Sequence, residues 1–256
     1  MIIIPTLTLL AGVDLRYAMG AGLVSVIVTS SGAAATYVRD GMVNLRLAMF
    51  LELATTTGAV VGAFLAGLLP VAWLSLILGL TLLYVSWSSY RARGDGHETL
   101  AQGSPAAMRL RLQGAYFDPA LGRDVEYQVT KVPQGFALMW GAGLMSGLLG
   151  IGSGVFKVLA MDRLMRAPFK ASTTTSNFMI GVTAAASAGT YFTRGDINPF
   201  IAAPVALGVL VGTFIGTRLL RRLHSRVLRK VLLVVLVVVA VQMIRRGLHG
   251  LWGGSV

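Results

Sequence analysis

The sequence predicts an all-α integral membrane protein built from two homologous helical repeats of inverted orientation. Each repeat should carry a broken or re-entrant helix, and the first repeat is expected to be truncated. Three observations lead there. The first is composition: 55% of the 256 residues are hydrophobic and only 12% are charged, against about 25% charged in a soluble chain. That much apolar surface exceeds what one core can bury, so the remainder faces lipid. The second is a series of apolar runs of bilayer length. The third is an internal match between the two halves of the chain.

A membrane-crossing helix needs roughly 20 apolar residues. Such runs lie near 18–37, 46–68 and 71–89 in the first half, and near 172–192, 199–219 and 228–247 in the second. Each is apolar on all faces, as expected of helices surrounded by lipid or protein. Gly58 and Gly62 form a G-x-x-x-G, as do Gly212 and Gly216. Small residues at that spacing let helices approach closely, so these four are read as packing positions.

The stretch 91–132 differs. It holds Arg91, Arg93, Asp95, Glu98, Arg109, Arg111, Asp118, Arg123, Asp124, Glu126 and Lys131 and reads as a polar cytoplasmic linker. Within it, Tyr116–Thr130 is expected to form a small hairpin around a turn-like D-P-A-L-G-R-D. The domain plan is therefore 1–90 for the first repeat, 91–132 for the linker and 133–249 for the second repeat.

Residues 134–165 are apolar but interrupted at Gly150, Ile151, Gly152, Ser153 and Gly154. The flanks are each too short to cross a bilayer as helices, which predicts a broken helix or a re-entrant hairpin. Irregular backbone at membrane depth must be covered by protein or line a water-filled cavity. The G-x-G is not a dinucleotide loop, since no strand–turn–helix context surrounds it.

At an offset of 154 residues the chain matches itself without gaps. Thr36, Tyr37, Gly41 and Asn44 meet Thr190, Tyr191, Gly195 and Asn198, and Gly58 and Gly62 meet Gly212 and Gly216. Two-fold internal repeats are a recurrent plan of secondary transporters, with substrate bound at the repeat interface. The same offset sets Met1 opposite Val155. The counterpart of Gly150–Gly154 would then precede Met1, and the upstream reading frame is expected to encode an apolar, glycine-ending segment. Residues 1–12 lack the basic start of a signal peptide.

Charge orients the halves. With 134–165 as a re-entrant hairpin the repeats are inverted, and 17 of the 22 Lys and Arg fall on the cytoplasmic side. Arg16, Arg194, Arg245 and Arg246 fall outside and Lys157 lies in the membrane. A parallel arrangement divides the same residues almost evenly, so the positive-inside rule favours inversion. The formal net charge of +12 thus reads as orientation rather than as nucleic-acid binding.

The chain has no cysteine, which removes disulfides, thiolate metal sites and cysteine nucleophiles. His97, His224 and His249 have no partner at ligand spacing, so neither metal nor cofactor is expected. The spans hold no Ser/His pair and no paired carboxylates, which argues against an intramembrane enzyme.

The candidate site residues follow from chemistry. Gly152, Ser153 and Gly154 open the second half-helix, where backbone N–H groups favour an anion. Thr175, Ser176 and Asn177, in the polar run that begins at Thr173, enter an apolar helix and offer hydroxyl and amide groups. Thr29, Ser30 and Ser31 sit mid-helix and read as packing or as hydroxyls bonded to their own backbone. Lys157 lies among apolar residues, and an intramembrane cation is a functional candidate by default; it would pair with a bound anion. Glu52, the acid inside a predicted span, is the candidate for proton coupling.

The run Gly147-Leu148-Leu149-Gly150-Ile151-Gly152-Ser153-Gly154, followed by Lys157-Val158, resembles the glycine-rich signature of the sulfite exporter TauE/SafE family. So do Ala171-Ser172-Thr173-Thr174-Thr175-Ser176-Asn177-Phe178 and Gly195-Asp196-Ile197. Ile4-Pro5-x-Leu7 and Gly12-Val13-Asp14 look like the tail of the same signature in the first half. The resemblance implies a multi-pass permease of the cell membrane, a bacterial inner membrane, exporting sulfite or a sulfur-containing organic anion such as sulfoacetate. A small anionic substrate and the lipid bilayer are its implied partners; oligomeric state is left open. Two departures stand out: Ser153 replaces a glycine, and Ala21-Gly22 replaces a Thr-Ser. A passive anion channel and an inactive truncated copy are the alternatives.

Overall fold

The computed structural model describes residues 2–91, 104–118, 122–220 and 225–252. It is helical throughout except for one hairpin. In chain order the helices are α1 (Ile3–Leu9), α2 (Leu15–Arg39), α3 (Leu45–Leu68), α4 (Val71–Arg91), α5 (Pro105–Arg109), α6 (Val132–Leu149), α7 (Gly154–Leu159), α8 (Phe169–Thr193), α9 (Pro199–Leu220) and α10 (Ser225–Trp252). A π-helical turn, Ala160–Leu164, continues α7. All six apolar runs expected from the sequence are helices, each starting within three residues of its expected position. Among the described residues, four helical segments are long and apolar enough to cross a membrane: Leu15–Arg39, Leu45–Leu68, Val71–Ser88 and Leu233–Trp252. Pro199–Thr213 is apolar but shorter.

The 25-residue α8 is not among them, and its surroundings explain why. It packs against α2, α3, α6 and α7, and Ser172, Thr175, Ser176, Thr183 and Ser187 are buried along it. A helix walled by protein can carry hydroxyls that a lipid-facing helix would not. The contrast with α3 is direct. Its face bearing Leu51, Gly58 and Gly62 is buried, while Met49, Leu53, Val60, Phe64 and Leu68 are exposed at helical spacing. In a soluble protein that second face would be polar; here it is dressed for hydrocarbon.

Glycine sets how closely the core helices approach. A methyl group on Gly58 would strike the Trp140 carbonyl of α6, and one on Gly62 would strike that of Leu144. From the other side, Gly143 and Gly147 of α6 face the Thr55 and Ala59 carbonyls of α3 just as tightly. Gly212 has open space around it, and the Gly216 side is not described.

Two helix pairs run antiparallel. Between α2 and α8, Gly20 lies against the Asp196 carbonyl and Ser30 Oγ donates to the Asn177 carbonyl. Between α4 and α10, Gly79 faces Ile244 while Gly247 faces Leu76. The starts of α2 and α8, of α3 and α9, and of α4 and α10 are Leu15 and Phe169, Leu45 and Pro199, Val71 and Ser225. The shared Gly and Asn of the two halves have a common local job. Gly41 and Gly195 take left-handed backbone, with φ of +66° and +77°, just after α2 and α8, where glycine closes a helix without steric cost. Asn44 caps α3, its side chain accepting from Leu47 N at 3.0 Å, and Asn198 Oδ1 accepts from Phe200 N at 3.0 Å.

The expected hairpin is present. β1 (Gly114–Asp118) pairs antiparallel with β2 (Arg123–Tyr127), with Gly114 opposite Tyr127 and Asp118 opposite Arg123. Its turn, 119–121, lies outside the described residues, as do Arg93, Asp95, His97 and Glu98 of the linker and His224. Burial pushes the Tyr127 phenol above its ordinary pKa, so it remains a neutral partner for Asn44 Nδ2 at 3.1 Å. Asn44 thereby ties the hairpin to the start of α3.

Candidate functional site

The glycine-rich interruption predicted at 150–154 is a true break between two helices. Gly150 ends α6 with φ of +67° and Gly152 follows with φ of +71°, a region that L side chains rarely adopt. A side chain on Gly150 would also meet the Met19 carbonyl of α2, and one on Gly154 would meet Ile180 of α8. After the π turn the chain comes back toward its entry point, since Thr130 N donates to Met165 O at 3.0 Å. The segment therefore enters and returns on the same side of the helix bundle. π turns are rare and concentrate at functional positions.

The break opens onto a cavity of about 540 Å³. Val26, Thr29, Ser30 and Ala33 of α2 form one wall, and Phe169, Thr173, Ser176, Asn177 and Ile180 of α8 another. Ile151, Gly152, Gly154, Val155, Val158 and Leu159 close it from the broken segment, with Ser88 of α4 at its edge. None of these carries a formal charge. A smaller cavity shares Ser88 and Leu159 and is lined also by Tyr84, Trp87 and Arg163.

Of the residues singled out in the sequence, Gly152, Gly154, Ser176 and Asn177 line the main cavity. Thr29 and Ser30, read as packing, line it too. Ser153, Lys157 and Thr175 do not. The Ser153 hydroxyl is buried without a hydrogen-bond partner. Thr175 turns toward α3, where its Oγ1 accepts from Asn44 N at 3.3 Å. Four hydroxyl protons of the cavity wall are already used. Ser176 Oγ donates to Gly154 O at 3.2 Å, Thr173 Oγ1 to Phe169 O at 2.8 Å, Thr29 Oγ1 to Ser25 O at 2.9 Å, and Ser30 to the Asn177 carbonyl. Besides the Ser88 hydroxyl at the edge, two sets of donors remain. The Asn177 side-chain amide lines the cavity with no hydrogen bond among the described residues, and the first N–H groups of α7 have no carbonyl one turn earlier.

Lys157 and Glu52, expected as separate candidates, meet each other. Lys157 is fully buried on the side of α7 away from the cavity, with Nζ 3.9 Å from Glu52 Oε2. Nζ also donates to Met179 O at 3.1 Å and to Thr183 Oγ1 at 2.5 Å. Thr183 in turn donates to Glu52 Oε1 at 2.6 Å, and Thr56 Oγ1 reaches the same oxygen at 3.1 Å. Sequence reasoning missed Thr183, although a signal was available. Ser172, Ser176, Thr183 and Ser187 recur at helical spacing, so they mark one small, polar face of α8.

A second polar group lies at the far end of the break. Tyr191 Oη donates to Gly147 O at 2.9 Å and approaches Leu148 O at 3.3 Å, the carbonyls α6 leaves unpaired at its end. The Arg194 guanidinium stands 4.6 Å from the Tyr191 ring centre, pairs with Asp196 at 2.6 Å and donates to the Ala63 carbonyl. Arg16 reaches the Gly67 and Leu69 carbonyls at 3.4 and 3.3 Å. The last carbonyls of α3 are thus held by two cations, as the helix dipole favours.

Among the described residues no group of three or more His, Asp or Glu converges as a metal site. Comparison with curated proteins and with solved structures found no match. The family model of the sulfite exporter TauE/SafE matches residues 1–243. The apolar helices of membrane length agree with that match, and the chain belongs to the sulfite exporter TauE/SafE family of membrane transporters.

Proposed function

We propose that this chain is a multi-pass secondary permease of the cell membrane that exports sulfite or a sulfur-containing organic anion such as sulfoacetate. The observation that carries this reading is the cavity at the helix break, walled by two antiparallel core helices. It offers an anion the Asn177 amide and the unpaired N–H groups of Gly154 and Val155, with Gly152 and Gly154 leaving room for close approach to backbone. Neutral oriented donors of this kind bind oxyanions without trapping them.

The halves are read as inverted repeats. In support, all three pairs of helix starts differ by the same 154 residues as the sequence match. Contacts repeat as well. Gly20 against Asp196 becomes, under that offset, residue 174 against residue 42, and Thr174 Oγ1 donates to Met42 O at 2.7 Å. Such reciprocity is the signature of a two-fold relation, and antiparallel counterpart helices are what inversion demands. Glu52 is the carboxylate we assign to proton coupling, and its burial inside an apolar helix of membrane length supports that reading.

Efflux of labelled sulfite and labelled sulfoacetate from proteoliposomes tests the reading. Saturable efflux is expected for at least one of them, falling about ten-fold or more in Asn177→Leu, which removes the free amide while keeping an apolar wall. Absence of efflux of both from folded protein would refute the substrate assignment.

A further inference from the structure

Lys157 stands on a half-helix whose opposite face, through Gly154, Val155 and Val158, lines the anion cavity. That half-helix is bounded by soft joints at both ends: Gly150 and Gly152 with left-handed backbone on one side, the π turn on the other. Its one charged side chain is tied to two other helices, to Glu52 of α3 and to Thr183 and Met179 O of α8. Thr183 sits between the ions. A hydroxyl has one proton and two lone pairs; its proton has Glu52 Oε1 at 2.6 Å and Met179 O at 2.9 Å within reach, and donating along the shorter contact to the carboxylate leaves it free to accept from Lys157. The pair is nevertheless incompletely satisfied, because Glu52 Oε2 is buried with no hydrogen bond and only the 3.9 Å approach of Nζ.

We propose that Glu52, Thr183 and Lys157 form a proton-operated latch, in which Thr183 positions Lys157 against Glu52 and protonation of Glu52 releases the half-helix cation to the anion cavity. The inference rests on the anion-transport reading and adds its coupling. The step balances. Glu52 takes one proton, its carboxylate becomes a neutral acid, and the formerly neutral pair acquires one positive charge. A buried uncompensated charge is strongly unfavourable, and an anion in the adjoining cavity offsets it: a monoanion leaves the site neutral, and a dianion such as sulfoacetate leaves it with one negative charge. Proton and anion therefore occupy the protein together, one for one. Loss of the proton restores the ion pair and withdraws the counter-charge.

Other charges do not compete at this point. α6, packed against α3, has no titratable residue between Val132 and Leu149, and Arg46 lies six residues before Glu52, about 9 Å along α3. On α8 the nearest titratable groups to Thr183 are Tyr191 and Lys170, roughly 12 and 20 Å away along the helix. On the π turn, Asp162 and Arg163 follow Lys157 by more than one helical turn.

The absence of native cysteine allows a direct test. Val158→Cys, on the cavity face of α7, is labelled with a small maleimide in the reconstituted protein, alone and combined with Glu52→Gln. Rates are compared at the same pH so that thiol ionisation cancels. Because the latched half-helix holds Val158 toward the cavity and release turns Lys157 there in its place, the latch predicts equal rates at acidic pH and a several-fold faster rate for the Glu52 form at alkaline pH. Thr183→Val should label slowly at both, and Thr183→Ser should restore the pH dependence; this pair replaces Glu52→Gln if that variant does not fold. Rates that stay equal at every pH would overturn the latch. Labelling needs no substrate, so its failure is distinct from failure of the sulfite assay. In that assay, labelled sulfoacetate efflux should carry protons in the native protein and lose its dependence on the pH gradient in Glu52→Gln; efflux that remains gradient-driven would overturn the coupling.

Discussion

Tyr191 illustrates how much one hydroxyl can organise. It is fully buried, and its phenol fills the place where α6 stops supplying its own hydrogen bonds, beside the Gly150 break. Tyr191→Phe keeps the ring under Arg194 but leaves the Gly147 and Leu148 carbonyls unpaired. A net loss of about 1–3 kcal/mol is expected for an orphaned buried acceptor, read as a lowered thermal midpoint in detergent. An unchanged midpoint would mean that water replaces the phenol. The residue scale is also where the sequence was least sufficient. Lys157 and Glu52 each stood out because ionised groups are rare among apolar residues. That they face one another depends on how α3 and α7 pack around α8, across more than a hundred residues of chain. Ser176 and Thr173 were legible as cavity residues, but their donation to backbone carbonyls was not. Thr173 satisfies itself on a carbonyl four residues back, whereas Ser176 reaches across to Gly154 O on the broken segment, a contact that only the packing of α7 on α8 creates.

At the scale of the element, two G-x-x-x-G motifs that look alike in sequence have different surroundings. Gly58 is pressed against the backbone of α6, whereas Gly212 on α9 touches nothing within 4 Å. Gly58→Ala must push α3 and α6 apart, with a cost on the order of 1–3 kcal/mol for overpacking. Gly212→Ala should be neutral or slightly stabilising, because alanine favours helix by up to about 1 kcal/mol. Thermal unfolding of the two variants in the same detergent checks the contrast, and equal effects would contradict it. The existence of nearly every helix was readable, since composition and length decide it. The environment of α8 was less so. Its hydroxyls make it look poorly suited to a membrane until α2, α3, α6 and α7 are seen around it.

For the whole molecule, sidedness is the measurement that separates inverted from parallel halves. Gln113→Cys reports on the linker and Phe200→Cys on the start of α9, just after its loop from α8; both positions are exposed. With an impermeant thiol reagent on sealed vesicles, inverted repeats put the two on opposite faces, and parallel repeats put them on the same face. The positive-inside count already leans to inversion, because short loops with Lys and Arg stay in the cytoplasm. The neutrality of the cavity wall carries a kinetic meaning. While Glu52 is ionised and Lys157 is held away from the wall, a solute there would be held by a few oriented dipoles, and its residence time would be short. Such a vestibule saturates only at high solute concentration and empties quickly, which suits an exporter that clears an accumulating anion by throughput more than by affinity.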